Sequence, residues 1–122
     1  MKQEEITKIV NKYYPLICAD YNSTALVDFH YNIYERLSGE KGMTGEVCAH
    51  AEYDWNKDKI YIYTSKMKCE EDIIRSLIHE CVHSNQSYEL FEAYYKCDLD
   101  YETHPYEIEA EYEEEKWKKY KY

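Results

Sequence analysis

The stretch His79-Glu80-Cys81-Val82-His83 carries the residue types and spacing best suited to chemistry in this sequence. At about 100° per residue, two histidines four apart in a helix lie only about 40° from each other, so both imidazoles can reach one metal ion. Glu80 sits one residue round, placed to act on a water at that ion without being a ligand itself. The chemistry implied is metal-assisted hydrolysis, with one Zn²⁺ as the expected ion and Glu80 as general base.

A catalytic zinc needs a third protein ligand and leaves its fourth position for water. The residues after His83, SNQSYEL, lack the glycine and third histidine of HExxHxxGxxH, which excludes the metzincin arrangement. The better candidate lies downstream, in the acidic run that follows His104-Pro105. Tyr106, Ala110, Trp117 and Tyr120 define an inward stripe there. Glu109 and Glu113 fall within about 60° of its centre, whereas Glu107 and Glu111 lie about 100° or more away. Glu109 is therefore the expected third ligand, and Glu113 the candidate acceptor for a ligand's other N–H. Glu107, at the third helical position, suits a capping role and is the alternative ligand. Tyr106 and His104 open this helix and are the candidates to hydrogen-bond the oxyanion of a transition state. His30 and His50 have no ligand spacing and read as structural or exposed.

Together, LIHECVH and HPYEIEAEYEE resemble the gluzincin group of zinc metallopeptidases and, in size, its minimal single-domain members, the minigluzincins. The resemblance covers roughly residues 60–113. It implies a zincin-like α+β fold, a peptide or protein substrate, and a substrate lying extended along the strand before the HExxH helix, by position residues 59–64. Two positions depart from the group's pattern. Ile108 stands where thermolysin-like members carry Asn before the glutamate ligand, and Glu113 where an Asp is usual. A second reading is a non-catalytic zinc-binding module with a regulatory or protein-interaction role. Retention of Glu80 favours the enzyme, because a structural zinc site needs no general base and normally has four protein ligands.

These residues need elements to position them. Ile6, Ile9, Val10, Tyr13 and Tyr14 recur at helical spacing and predict a first helix that stops at Pro15. A second helix is expected from Ser23, carrying Leu26, Val27, His30, Ile33, Tyr34 and Leu37 inward, until Ser38-Gly39 ends it. Val47, Ala49, Ala51, Tyr53 and Trp55 alternate with more polar neighbours, Asn56-Lys57-Asp58 offers turn chemistry, and residues 59–64 are rich in β-formers; together they predict a β-hairpin. The HExxH helix should run over residues 70–87. Residues 88–103 are ambiguous, with Leu90-Phe91 and Tyr94-Tyr95 hinting at a short helix. The glutamate helix begins near Pro105, acidic in its early turns and basic in its last, as a helix dipole favours. The expected class is thus α+β in a single domain, residues 1–122: N-terminal helices, a small sheet, the HExxH helix and the glutamate helix.

Composition bounds the rest. Leu, Ile, Val and Phe make up only 22 of 122 residues, and the formal charge is -10, which lies near the border of disorder. Sixteen tyrosines and two tryptophans argue for a folded chain with a thin, tyrosine-heavy core. An excess of 25 acids over 15 bases repels a phosphate backbone, so no nucleic-acid partner is expected. No run of 18 apolar residues exists, and MKQEEITKIV has acids where a signal peptide is hydrophobic, so no membrane partner and a cytoplasmic location are expected. The five cysteines form no CxxC pair and read as reduced thiols. None of these patterns carries a signal for oligomeric state.

Overall fold

A computed structural model describes residues 1–38, 49–97 and 104–121. Helix α1 (Gln3–Asp20) is built on Ile6, Val10, Tyr13 and Ile17, all buried at spacings of a turn. The expected stop at Pro15 does not occur. Pro15 and Asn11 are exposed, so the carbonyl that loses its N–H partner faces water. Continuing the helix buries Ile17 completely. That burial contributes about 1.5–3 kcal/mol, comparable to the about 3 kcal/mol an interior proline costs.

The second predicted helix is replaced by strand β1 (Leu26–His30) and a short helix, α2 (Ile33–Ser38). The cause is a partner distant in sequence. β1 pairs in parallel with β3 (Lys59–Tyr63), Leu26 opposite Lys59 and His30 opposite Tyr63. Val27 and Phe29, two apart, then both pack against the core. Asn32 marks the true start of α2, its side chain accepting from the Glu35 amide at 2.9 Å. The expected end at Gly39 lies outside the described residues.

The hairpin is present. β2 (Ala51–Asp54) runs antiparallel to β3, with Ala51 opposite Ile62. Asp54 Oδ1 accepts from the amides of Asn56 and Lys57, and Asp58 takes φ 52°, so the turn is held by its own side chain and backbone. Val47, placed in this hairpin from its alternation, lies outside the described residues. The sheet order β1-β3-β2 puts β3 at the centre. Residues 59–64 are the substrate edge that the family resemblance implies, but β3, which forms all but the last of them, is paired on both sides. Among the described residues, β1 and β2 are the edges.

Both faces of β3 are covered. Ile60 and Ile62 enter the main core, while Tyr61 and Tyr63 are buried on the other face. There Arg36 of α2 stacks 4.5 Å over the Tyr61 ring and donates to Tyr63 Oη at 2.8 Å. Helix α3 (Glu70–Ser84) crosses the middle of the molecule, against α1 on one side and α5 (Pro105–Glu114) on another. It ends three residues before the expected 87, where Asn85 bonds back to Val82. Helix α4 (Tyr88–Lys96) is the short helix hinted at by Leu90-Phe91 and Tyr94. After α5 the chain tightens into a 3₁₀ turn (Glu115–Trp117) before α6 (Lys118–Lys121).

Among the described residues, seven buried isoleucines against three buried tyrosines correct the expectation of a tyrosine-heavy core. Many of the tyrosines instead sit at its margin, with the ring half covered and the hydroxyl bonded. Tyr14 donates to Ala25 O, Tyr21 to Glu113, Tyr53 to Asp58 and Tyr120 to Asp20. Cys18, Cys69, Cys81 and Cys97 are free thiols. No helix among the described residues is long and apolar enough to cross a membrane.

Candidate metal centre

Where α3 packs on α5, Glu107 faces both histidines of the HExxH sequence. Its Oε2 lies 3.1 Å from His79 Nε2 and its Oε1 2.7 Å from His83 Nε2. All three residues are buried, and their ligand atoms lie within 4.8 Å of one another. The outer ring nitrogens are also fixed. His79 Nδ1 is 2.8 Å from Glu114 Oε2, and His83 Nδ1 is 2.6 Å from Gln86 Oε1. The Gln86 amide is itself oriented, its Nε2 donating to Tyr106 O at 3.1 Å.

This second layer decides the chemistry of the first. Glu114 and the Gln86 oxygen are acceptors, so each Nδ1 carries a proton and donates it. A neutral imidazole then turns the Nε2 lone pair inward, toward Glu107. Three acceptors converging in a buried space require positive charge. Without a cation, the histidines supply it as protons. Burial pushes the His79 pKa down, but the hydrogen bonds to Glu107 and Glu114 and the charge of Glu80 carry it up to about 10. His83 is raised in the same sense, burial being outweighed by Glu107 and Glu80. Burial alone would raise Glu107, yet the two histidines hold it well below the usual carboxylate range. Two imidazole nitrogens and one carboxylate oxygen, each imidazole braced from behind, are also what a divalent transition metal takes. The group His79, His83 and Glu107 could hold such an ion.

Glu109, the expected third ligand, is exposed, and the carboxylate that meets both histidines is that of Glu107. The inward stripe rests partly on Tyr106, which is only half-buried, and on Trp117 and Tyr120, reached across the 3₁₀ turn at Glu115–Trp117, where about 3.0 residues per turn replace 3.6. Counted from Ala110 alone, Glu107 and Glu114 lie three before and four after it, on one face. Glu113 does not touch a histidine; it accepts from Tyr21 Oη at 2.9 Å and pairs with Lys116. Glu114 fills the role proposed for it. His104 is fully buried as the N-cap of α5, accepting from the Tyr106 amide at 3.2 Å and donating to Phe91 O at 3.0 Å. Both its nitrogens are thus committed to the backbone. Tyr106 packs its ring on Tyr94 and His104, apart from the cleft-lining residues. His50, set aside as structural or exposed, is exposed on the cleft wall.

The three ligand candidates open onto a cleft of about 740 Å³. β2 contributes Ala51 and Glu52 to one wall and α5 contributes Glu111 to another. Trp55 and Phe91, rings 4.8 Å apart, form an aromatic end beside His83. No protein-family model, curated protein or solved structure matches this chain. Glu80 is 5% exposed and lines the same cleft. Burial raises its carboxyl pKa, against the opposing charges of His83 and His79. A buried carboxylate with a raised pKa, beside a group able to hold a metal, is suited to accept and return a proton.

Proposed function

We propose that this chain is a zinc-dependent metallopeptidase of the gluzincin type, with His79, His83 and Glu107 as ligands and Glu80 as general base. One observation carries the reading: two braced histidines and a buried carboxylate converge at the floor of a cleft whose wall contains Glu80. Bound there, zinc would supply a Lewis acid that lowers the pKa of water to about 7 and polarises a carbonyl. Glu80 takes the proton of the attacking water and delivers it to the leaving amine. β2 runs along the cleft with one side unpaired among the described residues, and such an edge binds extended peptide through main-chain hydrogen bonds. That supports a peptide as the substrate class.

The test is zinc content of the purified protein, followed by cleavage of a mixed peptide library by wild type and Glu80→Gln. The variant should keep its zinc and lose turnover by about 10²–10⁴-fold. Full activity in Glu80→Gln would refute the role given to Glu80. A wild type that binds zinc and cleaves nothing would favour a non-catalytic zinc-binding module.

A further inference from the structure

Arg75 stands one turn before His79 on α3 and reaches across to the far end of α5. Its Nη1 lies 3.4 Å from Glu114 Oε1 and 3.2 Å from Glu115 Oε1, its Nη2 3.4 Å from Glu115 Oε2, and its Nε 2.8 Å from Glu71 Oε2. The side chain is 25% exposed, so most of this charge is withdrawn from water. The other oxygen of Glu114 is the one that receives His79 Nδ1, at 2.8 Å. One carboxylate is thus shared between a guanidinium and an imidazole, one oxygen to each.

Resting on the metal-site reading above, we infer that Arg75 is a positioning residue for the metal: it holds Glu114 in the orientation that fixes the His79 ring. A packing tie between α3 and the chain just after α5 would need only Glu115, whose two oxygens already face the guanidinium. The reach to Glu114 does something more. It gives a second anchor to a carboxylate that His79 alone would otherwise hold at the rim of the open cleft, which Arg75 and Glu114 both line. It also offsets part of the negative charge that Glu114 adds near Glu80 and Glu107. A guanidinium is suited to this, because its fork serves two carboxylates in one plane and stays charged at any working pH.

The experiment compares wild type, Arg75→Gln and Glu115→Gln. Glu115→Gln weakens the packing tie without touching Glu114. Zn²⁺ and Co²⁺ affinities are measured by competition against a chelator, the Co²⁺ visible spectrum is recorded, and the chelated proteins are melted. Arg75→Gln should weaken both metals by about 10–100-fold and alter the Co²⁺ spectrum, the scale set by loss of an outer-shell partner. Glu115→Gln should leave affinity within about threefold while lowering the melt of the chelated protein. Equal affinities in wild type and Arg75→Gln, or an equal loss in both variants, overturn the inference. A separate readout needs no metal. In the chelated wild type, NMR should show a protected His79 Nδ1–H held by Glu114, and in Arg75→Gln it should broaden. If wild type bound no zinc, the metallopeptidase reading would fall on that result alone, and an unchanged Nδ1–H resonance would separately overturn the part given to Arg75.

Discussion

Replacing Glu107 by alanine perturbs the centre most directly. Glu107 is 4% exposed and each of its oxygens faces a histidine nitrogen, at 3.1 and 2.7 Å, so the variant removes one of three inward acceptors. Structural zinc in small sites binds with about 10–16 kcal/mol shared over four ligands, or roughly 3 kcal/mol for each. Loss of one ligand should thus raise the Kd for zinc by about 100-fold or more. Glu109→Ala deletes an exposed carboxylate two residues away, and a surface change of that kind stays within about 0.5 kcal/mol, near twofold in Kd. The assay is competition with a chromogenic zinc chelator near neutral pH, with circular dichroism to confirm that both variants fold. In the chelated state Glu107→Ala also strips a buried partner from two histidines. A destabilisation of about 3–5 kcal/mol is expected there and should be read separately. A larger loss of zinc affinity in Glu109→Ala than in Glu107→Ala would sink the assignment and restore the phase read from the sequence.

Two further outcomes follow from the same structure. In the chelated protein, the His79 pKa is raised to about 10 and that of Glu107 is depressed. The His79 contribution to stability is fully present below its unfolded value near 6.5 and is lost as pH rises toward 10. The Glu107 contribution is present above its ordinary value near 4.5 and is lost as pH falls through its depressed folded value. Melting temperature against pH should therefore peak between about 4.5 and 6.5, and a stability that keeps climbing from pH 6.5 to 10 would contradict the histidine–carboxylate pairing. Ile17→Ala tests the continuation of α1 beyond Pro15. Because Ile17 is wholly buried, urea unfolding should show a loss of about 2–5 kcal/mol; a change under about 0.5 kcal/mol would mean the helix ends at the proline.

What was legible in the sequence was what is set by near neighbours. The HExxH helix, the hairpin and the proline-opened glutamate helix each depend on spacings of a few residues, and each is present. Leu26, Val27 and His30 also fit a helical stripe, so the sequence predicts a helix where β1 forms, while the strand pairing of β1 is with residues 59–63, more than thirty positions on. Local periodicity holds no record of such a partner. The stripe points to Glu109, whereas Glu107 meets the histidines, because the stripe leans on Tyr106, which is only half-buried, and on Trp117 and Tyr120, which lie in and beyond the 3₁₀ turn. Gln86 and Glu114 carried no signal of their own. Their roles arise only when the end of α3 meets Tyr106 and the face of α5 meets His79.

The two histidines of the motif are identical in type and adjacent in space, yet they are unequally braced. Behind His79 is a carboxylate that Arg75 also grips, and behind His83 is an uncharged amide. A carboxylate draws the Nδ1 proton more strongly and leaves the opposite nitrogen the richer electron donor. The pair is therefore lopsided: the more electron-rich imidazole lies beside Glu114, and the less rich one beside Trp55 and Phe91. Histidine-to-alanine exchanges at these two positions should not be equivalent, and a ligand in the cleft meets two different electronic flanks across a single site.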